Sequence, residues 1–279
     1  MVSGNSRLLV FSGVHKRYRH IINAVLKRFQ GSALIVQDIL KGDFVGKYDI
    51  VGYPDHIIDL FNNHMHERDR TETEYYSDEP FPNDVCNRIL RVDRSTLNAD
   101  PTASFIREYS PDVVFSFGVG MLKAKILAEI SSARTVNLHL GLSPYYRSSD
   151  TLLWPLYLQN PGHVGTTLHV IDKWADHGPL YHQQRTVFSR DDTIHDVFCK
   201  TLIQAREPAI HLLKHLLRGS DMPTHTPTAQ GKCFLRGEFT PRHLAVIHQL
   251  IEEGMLRDHC SGKWISTPIT LFSPLTVSQ

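Results

Sequence analysis

Asn137 and His139 stand two residues apart in Thr135-Val136-Asn137-Leu138-His139, an alternating run that reads as a strand. On a strand this spacing puts both side chains on one face. The run leads into Gly141-Leu142-Ser143-Pro144, a turn, so an amide and an imidazole sit where a strand ends and can converge on one reacting atom. A second strand-like run, 165–172, is rich in β-branched residues and ends in a loop carrying Asp176-His177-Gly178. A carboxylate there reaches the His139 ring if the two strands are neighbours. On these residues alone the site is plausible and no reaction follows from it. Taken singly, each has a plainer reading: Asn-x-His as a satisfied polar pair, Asp-x-Gly as a turn.

The order of the whole set narrows the choice. Asn137, His139, Ser143-Pro144, Tyr145-Tyr146-Arg147, Gly165-Thr166-Thr167, His169 and Asp176-His177-Gly178 together resemble the motif of the folate-dependent formyltransferases. That family includes glycinamide ribonucleotide transformylase, methionyl-tRNA formyltransferase and the nucleotide-sugar N-formyltransferases. The resemblance is strong over 111–192 and weaker before it, and no functional residue carries over beyond 219. Ser148 departs from the motif, which often has Gly there.

The resemblance implies a Rossmann-like α/β fold, a mainly parallel sheet with helices on both faces. It implies N10-formyltetrahydrofolate as co-substrate, a primary amine as acceptor and no metal. Asn137, His139 and Asp176 become the catalytic residues. Gly118, Val119, Gly120, Met121, Leu122, Ile171 and Asp172 become the folate pocket, and Ser143, Tyr145, Tyr146 and Arg147 the acceptor side. In this reading Asn137 and His139 aim N–H groups at the oxyanion. Asp176 accepts from His139 and raises its pKa, favouring the charged ring, and Asp176 or a water relays the proton.

The elements that must position these residues follow from periodicity. Leu8-Leu9-Val10-Phe11-Ser12 reads as a buried first strand. Ile21, Ile22, Val25, Leu26 and Phe29 recur at helical spacing, and Gly31 stops that helix. Ala33-Leu34-Ile35-Val36 reads as the second strand, which makes a parallel α/β start. The first strand-to-helix turn, 12–19, has no Gly-rich phosphate loop but holds Lys16, Arg17 and Arg19. The missing loop counts against a purine-pathway acceptor. Pro111 to Gly118 reads as a further buried strand with a glycine exit, and a helix over about 124–130 leads to the Asn137 strand.

Residues 41–100 carry weak patterning, with helical stretches at 57–61 and 64–76 and a loop at 77–83. Past the central motif, 180–188 reads as a strand, and Asp192 or Thr193 caps a helix that Pro208 is expected to kink or divide. His211 and His215 lack the Glu of a zinc-protease helix. Residues 222–228 read as a linker, 231–239 as strand-like, and Pro241 opens a last helix that Gly254 follows. The expected division is a catalytic domain over 1–219 and a small extension over 220–279.

Composition bounds the partners. Thirty Lys and Arg against 29 Asp and Glu give a net charge of +1, which offers no field for nucleic acid. No apolar run spans a bilayer, and the first residues lack a signal-peptide pattern, so a cytoplasmic protein with reduced thiols is expected. Tyr145, Tyr146 and Trp154 offer flat surface for a sugar or base, and read equally well as core. The preferred acceptor is therefore an amino sugar carried on a nucleotide, and a homodimer is left open. The alternatives are a formyltetrahydrofolate hydrolase, transfer to glycinamide ribonucleotide, methionyl-tRNA or an amino acid, a non-catalytic folate or nucleotide binder, and a serine esterase.

Overall fold

The first strand, β1 (Leu8–Gly13), is buried along its whole length, and its alternate residues serve two different cores. Leu8 and Val10 join one hydrophobic cluster, Leu9 and Phe11 another, as period-two geometry requires of a strand covered on both faces. The structure is a computed structural model and describes residues 6–38, 50–76 and 86–275. The loop expected at 77–83 lies outside the described residues.

β1 pairs in parallel with β2 (Ala33–Gln37) on one side and β4 (Val113–Phe117) on the other. β2 continues to β3 (Arg88–Val92), and β4 to β5 (Arg134–His139), both in parallel. β7 (Gly165–His169) and β8 (Leu180–Arg185) then add antiparallel strands beyond β5. The sheet order is β3-β2-β1-β4-β5-β7-β8. The chain reverses its direction of growth between β1 and β4, and a crevice opens at such a switch point beyond the carboxyl ends of the strands. Asn137 and His139 end β5, the next strand along; it is an inner strand, not the lateral edge of the sheet.

Helix α1 (Lys16–Arg28) and α6 (Ile194–Leu217) cover one face, and α3 (Asp100–Tyr109) and α4 (Ala124–Glu129) the other. The mainly parallel sheet with helices on both faces is as the sequence implies. Thr193 caps α6 in a reciprocal box with Asp196. Pro208 does not divide α6: buried Leu202, Ala205, Ala209 and Leu212 hold its two halves on one core across the missing hydrogen bond. Helix α2 (Asp55–Tyr76) runs unbroken where the sequence shows two helical stretches.

Residues beyond 219 wrap the catalytic motif. β9 (Lys232–Phe234) pairs with β6 (Tyr146–Ser148), directly after the Ser143-Pro144 turn. With α5 (Leu153–Tyr157), α7 (Pro241–Glu252) and α8 (Met255–Cys260) they enclose a second core around Trp154, Phe234, Phe239 and Met255. Buried Gln183 ties both ends: its Nε2 donates to the Ser143 carbonyl at 2.6 Å and its Oε1 accepts from the Phe272 amide at 3.0 Å. Gln183→Leu strands both backbone groups, and urea denaturation should show a loss of about 2 kcal/mol in unfolding free energy. Among the described residues no helix is long and apolar enough to cross a membrane.

Candidate active site

Asn137 and His169 are direct cross-strand partners in the antiparallel β5–β7 pair, and this register is what brings their side chains together. Asn137 Nδ2 lies 3.0 Å from His169 Nε2 and 3.1 Å from Asp176 Oδ1. His169 Nδ1 sits 2.8 Å from the Val170 carbonyl, and its Nε2 lies 3.3 Å from Asp176 Oδ1 as well as against Asn137. Both amide hydrogens of Asn137 are thus engaged. The loop after β7 returns Asp176 with a left-handed φ of 48°, two residues before Gly178. A Cβ on Gly178 would strike the Val170 carbonyl, so the Asp-x-Gly pattern reflects a loop closing on itself.

Asp176 Oδ2 accepts from the Ser148 amide at 3.0 Å and faces His139 Nδ1 at 3.2 Å. Burial pushes the Asp176 carboxyl up, but its contacts with His139, His169 and the Ser148 amide outweigh that and hold it well below the usual carboxylate range. His139 corrects an expectation. Its pKa is lowered, because burial outweighs the pull of Asp176 and of the Tyr146 carbonyl. Burial thus disfavours charge on this ring. Its Nδ1–H serves Asp176, and its Nε2 lies 2.9 Å from the Tyr146 carbonyl oxygen, a contact that only a protonated Nε2 satisfies. Both ring nitrogens face oxygen acceptors, an arrangement that favours the doubly protonated ring against the cost of its burial.

These residues line one cavity of about 790 Å³ together with Gly118, Val119, Gly120, Met121, Leu122, Ile171 and Asp172. All seven residues expected around the folate thus share a cleft with Asn137, His139 and Asp176. Gly118, at φ 72°, is pressed against the Tyr18 ring, where a side chain has no room. Met121 and Trp174, 55% and 60% exposed, present apolar surface to the same cleft. Among the described residues no group of three His, Cys, Asp or Glu is placed to hold a metal ion.

The expected acceptor side is placed differently. Ser143 is buried, its amide donating to Thr167 Oγ1 at 3.0 Å. Tyr146 is buried too: its hydroxyl lies 2.8 Å from His163 Nδ1 and its ring stacks on Phe234. Tyr145, Tyr146 and Trp154 line a separate cavity of about 630 Å³, and Arg147 has a buried Nε without a partner. The β6–β9 pairing turns this stretch toward the second core, so none of the four lines the catalytic cleft. Two contributors escaped sequence reasoning. His169 lay inside the motif but only the cross-strand register shows its bond to Asn137. Ser148 acts through its backbone, which no side-chain pattern reveals.

No family model matches the chain. Solved structures do align with it. A sugar N-formyltransferase from a Shewanella species gives a TM-score of 0.53 at 15% identity, over 87% of this chain and 86% of its own. Phosphoribosylglycinamide formyltransferase from Anaplasma phagocytophilum gives 0.54 at 16% identity, over 84% of this chain and 100% of its own. The chain has the fold of the folate-dependent formyltransferases. A sugar 3-N-formyltransferase with this fold, solved in the presence of dTDP and 5-N-formyl-THF, gives 0.51 at 16% identity over 85% and 72% of the two chains.

Within that fold Ser148 is unusual in its backbone. Its φ is 77°, and Asp150 at 58° and Asp176 at 48° are left-handed beside it. Three of the five non-glycine left-handed residues in the described chain thus line one cleft, and the Ser148 amide meets the Asp176 carboxylate there. Ser148→Gly removes the steric cost and keeps the amide. Thermal unfolding should show a gain of about 1 kcal/mol, the relief of the left-handed strain less the extra freedom of an unfolded glycine.

Proposed function

We propose that the protein transfers a formyl group from N10-formyltetrahydrofolate to the primary amine of a small metabolite, an amino sugar carried on a nucleotide. The observation that carries this is the network of Asn137, His139, His169 and Asp176 on the floor of the cleft that Gly118–Leu122 lines. The cleft also fits the donor: it is large, and Met121 and Trp174 supply apolar surface against which a flat ring packs. Solved structures of the same fold include sugar N-formyltransferases, one of them obtained with dTDP and a formyl folate.

When bound, the folate supplies the formyl carbon and a nitrogen that leaves. The chain supplies the proton chemistry and the electrostatics. The Asn137 amide hydrogens lie against Asp176 and His169, so its carbonyl oxygen is the atom left to receive an amine N–H. His139 takes a proton as the amine gives one up and passes it to the nitrogen that leaves, and the Tyr146 carbonyl and Asp176 stabilise the imidazolium between the two transfers. A charged ring on the cleft floor then favours negative charge building on the formyl oxygen. No covalent enzyme intermediate is needed, and Ser143, buried under the turn, is not a nucleophile.

Purified protein should convert formyl folate and an amino-sugar nucleotide to the formamide, with tetrahydrofolate released in equal amount. Formate appearing without any amine would assign a hydrolase instead. No consumption of formyl folate with any acceptor would remove the reading.

A further inference from the structure

Tyr146 is held at every polar atom it has. Its amide donates to the Leu142 carbonyl at 3.0 Å, its carbonyl oxygen lies 2.9 Å from His139 Nε2, and its hydroxyl lies 2.8 Å from His163 Nδ1. Its ring stacks on Phe234 of β9, 9° from parallel. The strand that carries it, β6, is three residues long and among the described residues pairs only with β9, outside the seven-stranded sheet. The sheet that fixes His139 therefore leaves the oxygen His139 meets to other supports. The far end of β6 carries the Ser148 amide that meets Asp176. One short strand thus touches both members of the His139–Asp176 pair through its backbone.

His163 is the support that reaches furthest. It is buried at the end of a single turn of 3-10 helix, Pro161–His163. Its Nε2 lies 2.6 Å from the Thr267 carbonyl, 104 residues away in sequence. A carbonyl only accepts, so Nε2 carries a proton. Burial lowers the pKa of this ring, the Thr267 carbonyl pulls the other way, and Arg185 and His259 add to the lowering. That favours the uncharged ring, whose Nδ1 accepts from the Tyr146 hydroxyl. Burial pushes that hydroxyl up to about 12, so it keeps its proton. The turn is itself pinned to the tail: the Gly162 amide donates to Ser266 Oγ at 2.9 Å, and the Thr267 amide to Asn160 Oδ1 at 2.7 Å.

We propose that His163 is a positioning residue for His139: by tying the Tyr146 hydroxyl to the Thr267 carbonyl, it sets the place of the carbonyl oxygen that His139 Nε2 meets. Tyr146 then serves the cleft from behind its wall, and the tail of the chain belongs to the machinery of the site. The Tyr146 carbonyl favours the protonated His139 ring, as Asp176 does, while burial, His169 and Arg147 oppose it. Only the first of these contacts depends on His163. The proposal deepens the formyl-transfer reading and rests on it for turnover alone.

Ring-nitrogen NMR of the protein without substrate, together with steady-state kinetics, tests it. Tyr146→Phe keeps the stacked ring and loses the hydroxyl. His163→Phe makes neither bond, and His163→Gln keeps a donor for Thr267 and an acceptor for Tyr146. At neutral pH the His139 Nε2 signal should move toward that of a bare nitrogen in the two phenylalanine variants and return most of the way in His163→Gln. In the same two variants kcat should fall about tenfold, with the KM for the amine changed less than about twofold. The acid limb of kcat/KM should move to lower pH, because a contact that favours protonated His139 is weakened. If His163→Phe does not fold, Tyr146→Phe carries the test. A His163 that only braces the fold lowers thermal stability and leaves the His139 signal and kcat as in wild type, and that result overturns the proposal. So does a fall in kcat with the signal in place, or a moved signal with kcat unchanged. A moved signal in a protein that transfers no formyl group removes the reaction and keeps the anchoring of His139.

Discussion

Asp176→Asn should turn over roughly 10²–10³-fold more slowly than wild type, with a much smaller change in the KM for the amine. The Asp176 carboxylate is met by four groups at once: Asn137, the Ser148 amide, His139 Nδ1 and His169 Nε2. An asparagine has one oxygen to offer, so one donor loses its acceptor, and the charge that opposes burial at His139 is gone. The pH dependence gives the sign. His139 already has a lowered pKa, and removing a neighbouring anion lowers it further. In the proposed reaction uncharged His139 takes the amine proton, so wild-type activity should fall as acid protonates it. In Asp176→Asn that acid limb moves to lower pH, while the ratio of variant to wild type stays flat above neutrality, where both rings are uncharged. Profiles of kcat/KM against pH check this. A limb displaced toward higher pH, or near-normal turnover, would show that the carboxylate only shapes the loop. Asn137→Ala and His139→Ala act on the same proton and the same developing charge, so double variants should lose less than the product of the single losses.

Much of this site was legible in the chain, and for a local reason. Asn137 and His139 share one strand face by periodicity alone, and Asp176-x-Gly178 marks a loop whose closure demands a glycine. The parallel start was legible because β1 and β2 are covered on both faces and so read as unbroken apolar runs. The direction of the His139 pKa shift was not legible. A neighbouring carboxylate argues for a raised pKa, and only the depth of burial reverses the direction. Tyr145 and Tyr146 follow the catalytic turn in sequence, yet a three-residue pairing with β9, some 85 residues later, turns them to another cavity. Such a partner leaves no trace near the motif.

Helix α2 hid for a different reason. Its buried face runs Ile57, His64, Thr71 and Tyr76, close to a heptad stripe, but two of those four positions are polar, so no apolar period appears. The same choice of residues builds Arg68 into the cleft wall.

That polar stripe has a thermodynamic consequence, and acid should unfold this protein early. His64 of α2, His195 of α6 and His248 of α7 meet where the three helices pack. The His64 and His195 rings are 4.4 Å apart, and His64 Nδ1 lies 3.1 Å from His248 Nε2. Burial, with repulsion among the rings, lowers His64 to about 3; burial, with His248 adding, lowers His195 to about 4; burial also lowers His248. Glu67, Glu72 and Asp196 pull His195 the other way, and Glu252 pulls His248, without reversing either. Above pH 6.5 these rings are neutral folded or unfolded, and pH leaves their contribution unchanged. Below it the unfolded chain takes up protons that the folded one refuses, so stability falls with falling pH until the folded rings titrate near pH 4 and below. Each such ring costs about 1.4 kcal/mol per pH unit across that window, so His64 and His195 together cost on the order of 3 kcal/mol per unit. Buried His182, lowered to about 4, acts in the same direction. Urea midpoints at pH 7.5, 6 and 5 should therefore drop steeply, and His64→Leu should flatten the slope by about one proton while lowering stability at pH 7.5. A slope unchanged by His64→Leu would mean that this ring already carries its proton in the folded state, and that the three helices are held together by charge.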